Sequence, residues 1–454
     1  MFKKTACLIF LTAMIAACGA EKKETAAEAA GEPSAGRVIP RVKLGVEVLL
    51  EKHLDLLKGK RVGLITNPSG VDAALVSTIE RLRTGPDVRL VALYGPEHGV
   101  RGDVQAGVYV PFYMDAKFGI PVFSLYGPSM KPQAGMLKDI DEFMRSFDTT
   151  PEDKKLDGAM TKDIDLLLYD IQDVGTRIYT FQATMFYAMQ AAAESGIEFV
   201  VLDRPNPLGG EVLEGPILEY PEFSSFVGLY PYPLRFGLTL GELARLGNDK
   251  FLEKKAKLTV IPMENWRRDM GFDETGLSWI APSPNMPTLD TAVVYPGQVF
   301  FEGTNLSEGR GTTRPFEYFG APWIDGNELT KRLNALGLPG VAFREQWFTP
   351  TFSKFKDEIC GGCQIHVIDR TVYRSLAVAL HAIAAIRDMY PDKFQFHEKY
   401  FDKIMGSSKV REAMIKGGPI DEIVRGFEKG LAEFDALRKP YLLYNIPSFR
   451  NHTP

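Results

Sequence analysis

An acidic side chain and an imidazole stand next to each other where a predicted strand ends. The stretch "VALYGPEHGVRGDVQAGV" covers residues 91–108, and its apolar run is followed by a Gly/Pro bend that carries Glu97 and His98. Such a bend contributes little to packing, whereas a positioned carboxyl group beside an imidazole is suited to proton transfer. Glu97 is therefore the first candidate for a catalytic acid, with His98 as a second candidate catalytic residue.

Three other polar loops also follow predicted strands, at residues 66–70, 169–177 and 203–210. Gly, Pro, Asn and Asp occupy turns for purely conformational reasons, so any one of these loops could be an ordinary turn. Four in succession favour a shared polar pocket. Asp170 and Asp173 are candidate catalytic carboxylates. The candidate substrate-binding residues in these loops are Asn67, Arg101, Asp103, Arg177, Arg204 and Asn206.

The elements that must position these loops predict an α/β fold. Near-continuous apolar runs separated by amphipathic stretches are typical of a parallel sheet covered on both faces. The carboxyl ends of such strands lie at one edge, where open α/β folds bind ligands. The predicted strands are 61–67, 88–94, 164–170 and 198–203, and the predicted helices between them are 72–84 and 179–195.

The pattern changes near residue 280. Residues 283–325 have scattered Pro and Gly, and they are followed by shorter strand-like and helical runs at 363–369, 373–389 and 420–438. We therefore predict a first domain at 41–280 and a smaller α+β domain at 281–454. The second domain adds the candidate substrate-binding residues Glu302, Asn305, Glu308, Arg310 and Arg314.

Composition and motifs exclude several classes of function. The chain has 454 residues, 45% hydrophobic content and a formal charge of -5, so it can bury a large core and has no general attraction to nucleic acid. The first strand lacks the glycine pattern of dinucleotide binding, and "GTNLSEGRGTT" lacks the spacing and the Lys of a phosphate-binding loop. Neither nucleotide signal is present.

The first 40 residues predict export and anchoring. Lys3 and Lys4 precede a short apolar stretch that ends in "IAAC", which resembles a lipoprotein signal peptide (1–18) with lipidation at Cys18. The alternative is an ordinary signal peptide. Residues 19–40 have the composition of a flexible tether. We expect an envelope protein anchored to a membrane by lipid, periplasmic or surface-exposed.

Two cysteines of the second domain superficially suggest zinc. Cys360 and Cys363 are followed by His366, but a structural zinc site needs four ligands and the sequence offers no second pair. A local disulfide or two free thiols are the expected alternatives, and no metal or organic cofactor is predicted.

Five motifs together identify a family. "GPEHGVRGDVQAGV", "YDIQDVGTRIYTF", "LDRPNPLGG", "PSPNMPTLDTAVVYPG" and "FEGTNLSEGRGTTRPFE" resemble the NamZ-type exo-β-N-acetylmuramidases, in the expected order. The resemblance runs from about residue 45 to about 444. It implies a Rossmann-like first domain, a smaller second domain and a site in the cleft between them. It also implies release of N-acetylmuramic acid from the non-reducing ends of peptidoglycan fragments (muropeptides).

This chemistry agrees with the candidate residues. Glycoside hydrolysis usually needs a proton donor and a second carboxylate. Glu97 is the expected donor, and the second carboxylate is left open among several residues: Asp103, Asp170, Asp173, Glu302 and Glu308. The lactyl carboxylate of muramic acid calls for a cation, preferably Arg. The candidates are the five loop arginines, and the small neighbours of Arg310 and Arg314 favour these two, because they let a ligand approach closely. We expect at least half of the five to pair with nearby carboxylates instead; they are Arg101, Arg177, Arg204, Arg310 and Arg314. An anionic-sugar binding protein without turnover is the alternative function.

Overall fold

The apolar runs of the first half form a mostly parallel sheet. The computed structural model describes residues 41–138, 140 and 163–444. The strands are β1 (Arg61–Thr66), β2 (Arg89–Gly95), β3 (Tyr113–Asp115), β4 (Ile120–Ser124), β5 (Leu166–Asp170), β6 (Glu198–Leu202) and β7 (Lys257–Ile261). Their order is β3-β4-β2-β1-β5-β6-β7, and only the pairing of β3 with β4 is antiparallel. The predicted parallel sheet is confirmed.

Helices cover this sheet. They are α1 (Gly45–Lys52), α2 (Thr78–Thr84), α3 (Ala134–Leu137), α4 (Phe181–Ser195) and α5 (Leu240–Lys250). The helix predicted at 72–84 begins only at Thr78. The Asp72 carboxylate accepts hydrogen bonds from the backbone N–H groups of Ala74 and Val76, which holds a turn, and Ser77 then caps the helix through the N–H of Glu80.

The second half contains a smaller antiparallel sheet. Its strands are β8 (Tyr318–Ala321), β9 (Val341–Phe348) and β10 (Cys360–Val367), in the order β8-β10-β9. The accompanying helices are α6 (Leu289–Gln298), α7 (Gly326–Ala335), α8 (Ser375–Met389), α9 (Glu398–Met405), α10 (Lys409–Ile415), α11 (Ile420–Arg425) and α12 (Glu428–Arg438). The single helix predicted at 420–438 is thus two helices, interrupted at Gly426 and Phe427. Glycine is a poor helix former, which weakens the helix at this point.

One hydrophobic core crosses the predicted domain boundary. The same buried cluster contains Tyr169 and Phe186 from the first half and Phe301, Ile383 and Phe401 from the second. The described residues from 41 to 444 accordingly form one unit. The boundary near residue 280 stays a prediction, because packing does not separate the two parts.

The predictions for the N-terminal segment and for the two cysteines have different outcomes. The signal peptide, Cys18 and the tether all lie outside the described residues. Within the described ranges, no helix has the length and apolar character needed to cross a bilayer. Cys360 and Cys363 lie on β10 as free, buried thiols, and burial raises the pKa of each to about 12.

Candidate active site

A tight turn carries Glu97 and His98 at the carboxyl end of β2. The N–H of Gly99 donates to the carbonyl of Pro96 at 2.9 Å, which leaves Glu97 and His98 at the two central positions. His98 has a φ of 75°, in the left-handed region that residues other than glycine seldom adopt. A side chain on Gly95 would come within 2.9 Å of the backbone nitrogen of Val100, so this position requires glycine. Strain of this kind is often retained where function demands a particular geometry.

The Glu97 carboxylate is held by two uncharged donors. The N–H of Gly107 donates to Oε1, and the hydroxyl of Thr180, at the start of α4, donates to Oε2, both at 2.9 Å. Tyr126 lines the same cavity beside Glu97; burial raises the pKa of Tyr126 to about 12, and the negative charge of Glu97 adds to the shift. In the part of the chain that the structure describes, uncharged groups orient Glu97 and no cation pairs with it.

His98 has a defined hydrogen-bonding role. Its Nδ1 lies 2.8 Å from the carbonyl oxygen of Val104, and since a carbonyl only accepts, Nδ1 carries the proton. Burial lowers the pKa of His98, against the opposing effect of Glu97. A neutral ring with protonated Nδ1 leaves Nε2 as an acceptor for a hydroxyl group or a water molecule.

A charged cluster from the second half forms part of the cavity wall. The Nη2 of Arg310 lies 2.8 Å from Oε1 of Glu302, and its Nε lies 3.5 Å from Oε1 of Glu308. Burial alone would lower the pKa of Arg310, but the two carboxylates outweigh this effect and raise it. Tyr400 donates its hydroxyl to Oε2 of Glu302 at 2.9 Å, and the ammonium of Lys354 lies 3.2 Å from Oε2 of Glu308.

These groups line one cavity of about 650 Å³. Its lining residues from the first half include segments that follow β2 and β4 and the start of α4, so the cavity lies at the carboxyl edge of the sheet, where open α/β folds bind ligands. A hydrogen bond of 3.0 Å from Asn285 to the side chain of Gln105 joins the two halves beside it. Of the residues predicted for the site, the cavity brings together Glu97, His98, Glu302, Glu308 and Arg310.

Asp170 lies outside this cavity, which gives its predicted catalytic role no support. It is fully buried and binds Arg204 through two hydrogen bonds, of 2.6 Å and 3.0 Å. Thr78 also donates to Asp170, and Arg204 donates to the carbonyl of Val71. This bidentate pair satisfies both partners and links two loops at the sheet edge.

Asp173 is also below the surface rather than in the cavity. Its carboxylate accepts hydrogen bonds from the N–H of Gly175 and from the side-chain amide of Gln182. Burial raises its pKa to about 7, although these hydrogen bonds oppose the shift. The void beside it has a volume of only about 10 Å³, too small for a sugar.

Three predicted substrate-binding residues lie outside the cavity and hold the backbone, so their predicted role finds no support there. Arg177 is fully buried and donates to carbonyl oxygens, among them those of Tyr232 at 2.8 Å and Met405 at 2.7 Å. The amide of Asn206 donates to the Leu238 carbonyl, and that of Asn67 donates to the Pro282 carbonyl.

The remaining predicted residues also lie outside the cavity. Arg101 is largely exposed and pairs with Asp115, while Asp103 is exposed in the same loop. Asn305 exchanges hydrogen bonds with the backbone of Lys393 and Gln395. Arg314 pairs with Glu317 at 3.0 Å and lines a different cavity, of about 250 Å³.

Comparison with known protein families accounts for this arrangement. The family models of the exo-β-N-acetylmuramidase NamZ match residues 62–148 and 147–290 with their N-terminal part and residues 293–444 with their C-terminal part. The chain belongs to the NamZ exo-β-N-acetylmuramidase family. The family resemblance inferred from the sequence motifs is thereby confirmed.

Individual NamZ-family relatives cover most of the chain. The peptidoglycan β-N-acetylmuramidase NamZ of Bacillus subtilis is 50% identical over 406 residues, which is 89% of this chain and 92% of that protein. A DUF1343-family protein of Bacteroides fragilis, known from a crystal structure, has 40% identity and a TM-score of 0.78 over 89% of this chain and 99% of its own. A second one has 28% identity and a TM-score of 0.69, over 90% and 100%.

Several cavity residues of this NamZ-family protein were missed from the sequence. They come from segments far apart in the chain, and most are aromatic, amide or lysine side chains that elsewhere pack or face solvent. They include Gln105, Tyr126, Tyr179, Thr180, Asn285, Tyr295, Phe352, Lys354, Tyr400 and Lys403. The sequence does carry a signal for Tyr179 and Thr180, because both lie in the motif "YDIQDVGTRIYTF".

Proposed function

We propose that the protein is an exo-acting glycoside hydrolase that releases N-acetylmuramic acid from the non-reducing ends of peptidoglycan fragments. The observation that carries the proposal is Glu97, a carboxyl group that two uncharged donors orient, in a cavity that also holds Glu302 and Glu308. Membership of the NamZ family and the named activity of the Bacillus subtilis relative support the same reaction.

Glu97 has the surroundings that a general acid needs. A hydroxyl group donates to a carboxylate but accepts from a carboxylic acid, so Thr180 suits both protonation states of Glu97. The N–H of Gly107 keeps the carboxyl group in place throughout. In the proposed reaction Glu97 donates its proton to the glycosidic oxygen as the bond to the sugar breaks.

Glu302 is the proposed second carboxylate. Positive charge develops on the sugar ring in the transition state, and a carboxylate in the same cavity stabilises it. Arg310 and Tyr400 hold both oxygens of Glu302 in fixed positions. Glu308 lies deeper, with a side-chain exposure of 3% against 15% for Glu302, and is better placed to anchor Arg310 and Lys354.

The proposed location follows from the sequence of the first 40 residues. Lipidation at Cys18 would anchor the enzyme to a membrane of the cell envelope through residues 19–40. Peptidoglycan fragments are present in that compartment, so the anchor and the substrate class agree.

A pair of chromogenic substrates tests the proposal. The purified protein is incubated with a β-N-acetylmuramide and with the matching β-N-acetylglucosaminide, and the released chromophore is measured. We expect release from the muramide and little or none from the glucosaminide. Binding of N-acetylmuramic acid without any release from the muramide would instead indicate an anionic-sugar binding protein.

A further inference from the structure

Among the described residues, three cationic side chains line the cavity: Arg310, Lys354 and Lys403. Two of them are already occupied. Arg310 directs both Nε and Nη2 to Oε1 of Glu302 and also lies beside Glu308. Lys354 pairs with Glu308 and donates to backbone carbonyls, including those of Phe301 and Leu306 at 2.8 Å.

Lys403 differs from these two. It is an exposed residue on α9, and its ammonium lies 5.8 Å from the centre of the Tyr400 ring. Across the residues that the structure describes, no carboxylate lies within ion-pair distance of this ammonium. Its neighbour Tyr400 is bound to Glu302, so Lys403 is attached to the same wall that carries the charged cluster.

The balance of charges in the cavity also singles out Lys403. When Glu97 carries the proton that it donates, the remaining cavity carboxylates are Glu302 and Glu308. These two offset Arg310 and Lys354, which leaves the positive charge of Lys403 uncompensated. A substrate with a single negative charge would balance it. Electrostatic complementarity of this kind contributes to selectivity between ligands.

We propose that Lys403 binds the lactyl carboxylate of N-acetylmuramic acid and thereby distinguishes muramides from glucosaminides. This inference rests on the proposed function and replaces the sequence-based assignment of that role to Arg310 or Arg314. An ammonium on a flexible stem at the edge of the cavity can reach the lactyl group without disturbing the contacts of Arg310.

A two-way comparison of ligand and residue tests the inference. Titration calorimetry measures the affinity of the wild type and of Lys403→Met for N-acetylmuramic acid and for its lactyl carboxamide, which lacks the charge. We expect the wild type to prefer the acid by about five- to fifteenfold, the range for a partly exposed charged contact. Lys403→Met should bind the two ligands equally, because the two changes remove the same interaction.

Salt and two control variants separate a direct contact from a structural role. The preference of the wild type should shrink as salt screens the exposed pair, whereas the affinity of Lys403→Met should not respond. Lys403→Arg should keep most of the preference. Lys399→Met removes another exposed lysine of α9 that does not line the cavity, and it should behave as the wild type.

The outcomes also distinguish this inference from the proposed function. If Lys403→Met keeps the full preference for the acid while the wild type cleaves muramides, Lys403 is not the carboxylate-binding residue and only this inference fails. If the wild type prefers the acid, Lys403→Met loses that preference and the wild type cleaves no muramide, the proposed hydrolase activity fails and the assignment of Lys403 stands.

Discussion

The loop after β2 and the loops after β5 and β6 contain the same kinds of side chain at the same edge of one sheet. After β2, Glu97 accepts from an amide and a hydroxyl and faces a cavity of about 650 Å³. After β5 and β6, Asp170 and Arg204 bind each other in a buried pair, and Asp173 is enclosed by hydrogen-bond donors.

The difference lies in access and in the charge of the partner. A buried carboxylate bound by a guanidinium has both lone-pair directions satisfied and holds the loops together. A carboxyl group bound only by neutral donors, with space beside it, can exchange a proton with a ligand. The two regions therefore predict opposite responses to mutation, in activity for one and in stability for the other.

Glu97→Gln should have the largest effect on turnover. The amide keeps the shape of the side chain and can still accept from Gly107, but it cannot donate a proton to the leaving oxygen. Loss of a positioned general acid lowers the rate by roughly a hundred- to ten-thousand-fold. Muramide hydrolysis measures the loss, and Asp103→Asn, in the same loop but outside the cavity, is the matched control. Residual activity above about a tenth would remove Glu97 from the role of acid.

Asp170→Ala should destabilise the fold instead. The substitution leaves Arg204 buried without its carboxylate, and such a loss costs about 3–5 kcal/mol in the free energy of unfolding. Denaturant titration measures it. The double variant Asp170→Ala/Arg204→Met should recover part of the loss, since no unpaired charge is left inside. If Asp170→Ala stays fully stable but loses turnover, the contrast between the two loops is mistaken.

Arg310→Met tests whether Arg310 orders Glu302 and Glu308 or selects muramides over other sugars. Glu302 and Glu308 both lose their shared cation, so we expect hydrolysis of any accepted sugar to fall roughly ten- to a hundredfold. Methionine can still pack on Phe316, which the guanidinium now covers at 4.9 Å. Arg314→Met, outside the cavity, should leave turnover unchanged. If Arg310→Met loses hydrolysis of muramides only, Arg310 is the residue that binds the lactyl carboxylate.

Asp173 should give the smallest effect on turnover, and it should instead make stability depend on pH. Burial raises its pKa to about 7 from the ordinary 3.8, so the folded state retains a proton that the unfolded state releases. The stabilisation is complete below about pH 4 and is lost as the pH rises towards about 7. Asp173→Asn removes this titration, so the stability of the variant relative to the wild type should increase between about pH 5 and pH 8. If the difference in stability between the variant and the wild type is the same at every pH, the raised pKa of Asp173 is contradicted.

The fold was largely predictable because its signals are local. The apolar runs at 61–67, 88–94, 164–170 and 198–203 each form a strand, since a parallel strand buried on both faces must be apolar along its length. Helix ends were less predictable. The late start of α2 depends on the hydrogen bonds of one aspartate, Asp72, which hydrophobic spacing does not reveal.

The site was predictable only where one motif contains it. Glu97 and His98 occur together in a strand-end bend, whereas Lys354, Tyr400 and Lys403 reach the cavity from segments with no local pattern of their own. Proximity in the sequence placed Arg310 and Arg314 in one predicted site. Gly311 lies between Arg310 and Arg314 with a φ of 82°, and the two arginines line different cavities although only four positions apart.

The Arg177 contacts bear on when the active site can exist during synthesis. Its guanidinium binds the carbonyls of Ile404 and Met405, the last turn of α9, across 227 and 228 positions of the chain. That helix carries Tyr400 and Lys403. The cavity wall is therefore complete only after α9, which is synthesised late, has packed against the sheet. Contacts between such distant positions form late and slow folding. A chain that stops before α9 would contain Glu97 without the wall that faces the sugar, and hydrolysis would begin only with nearly full-length protein.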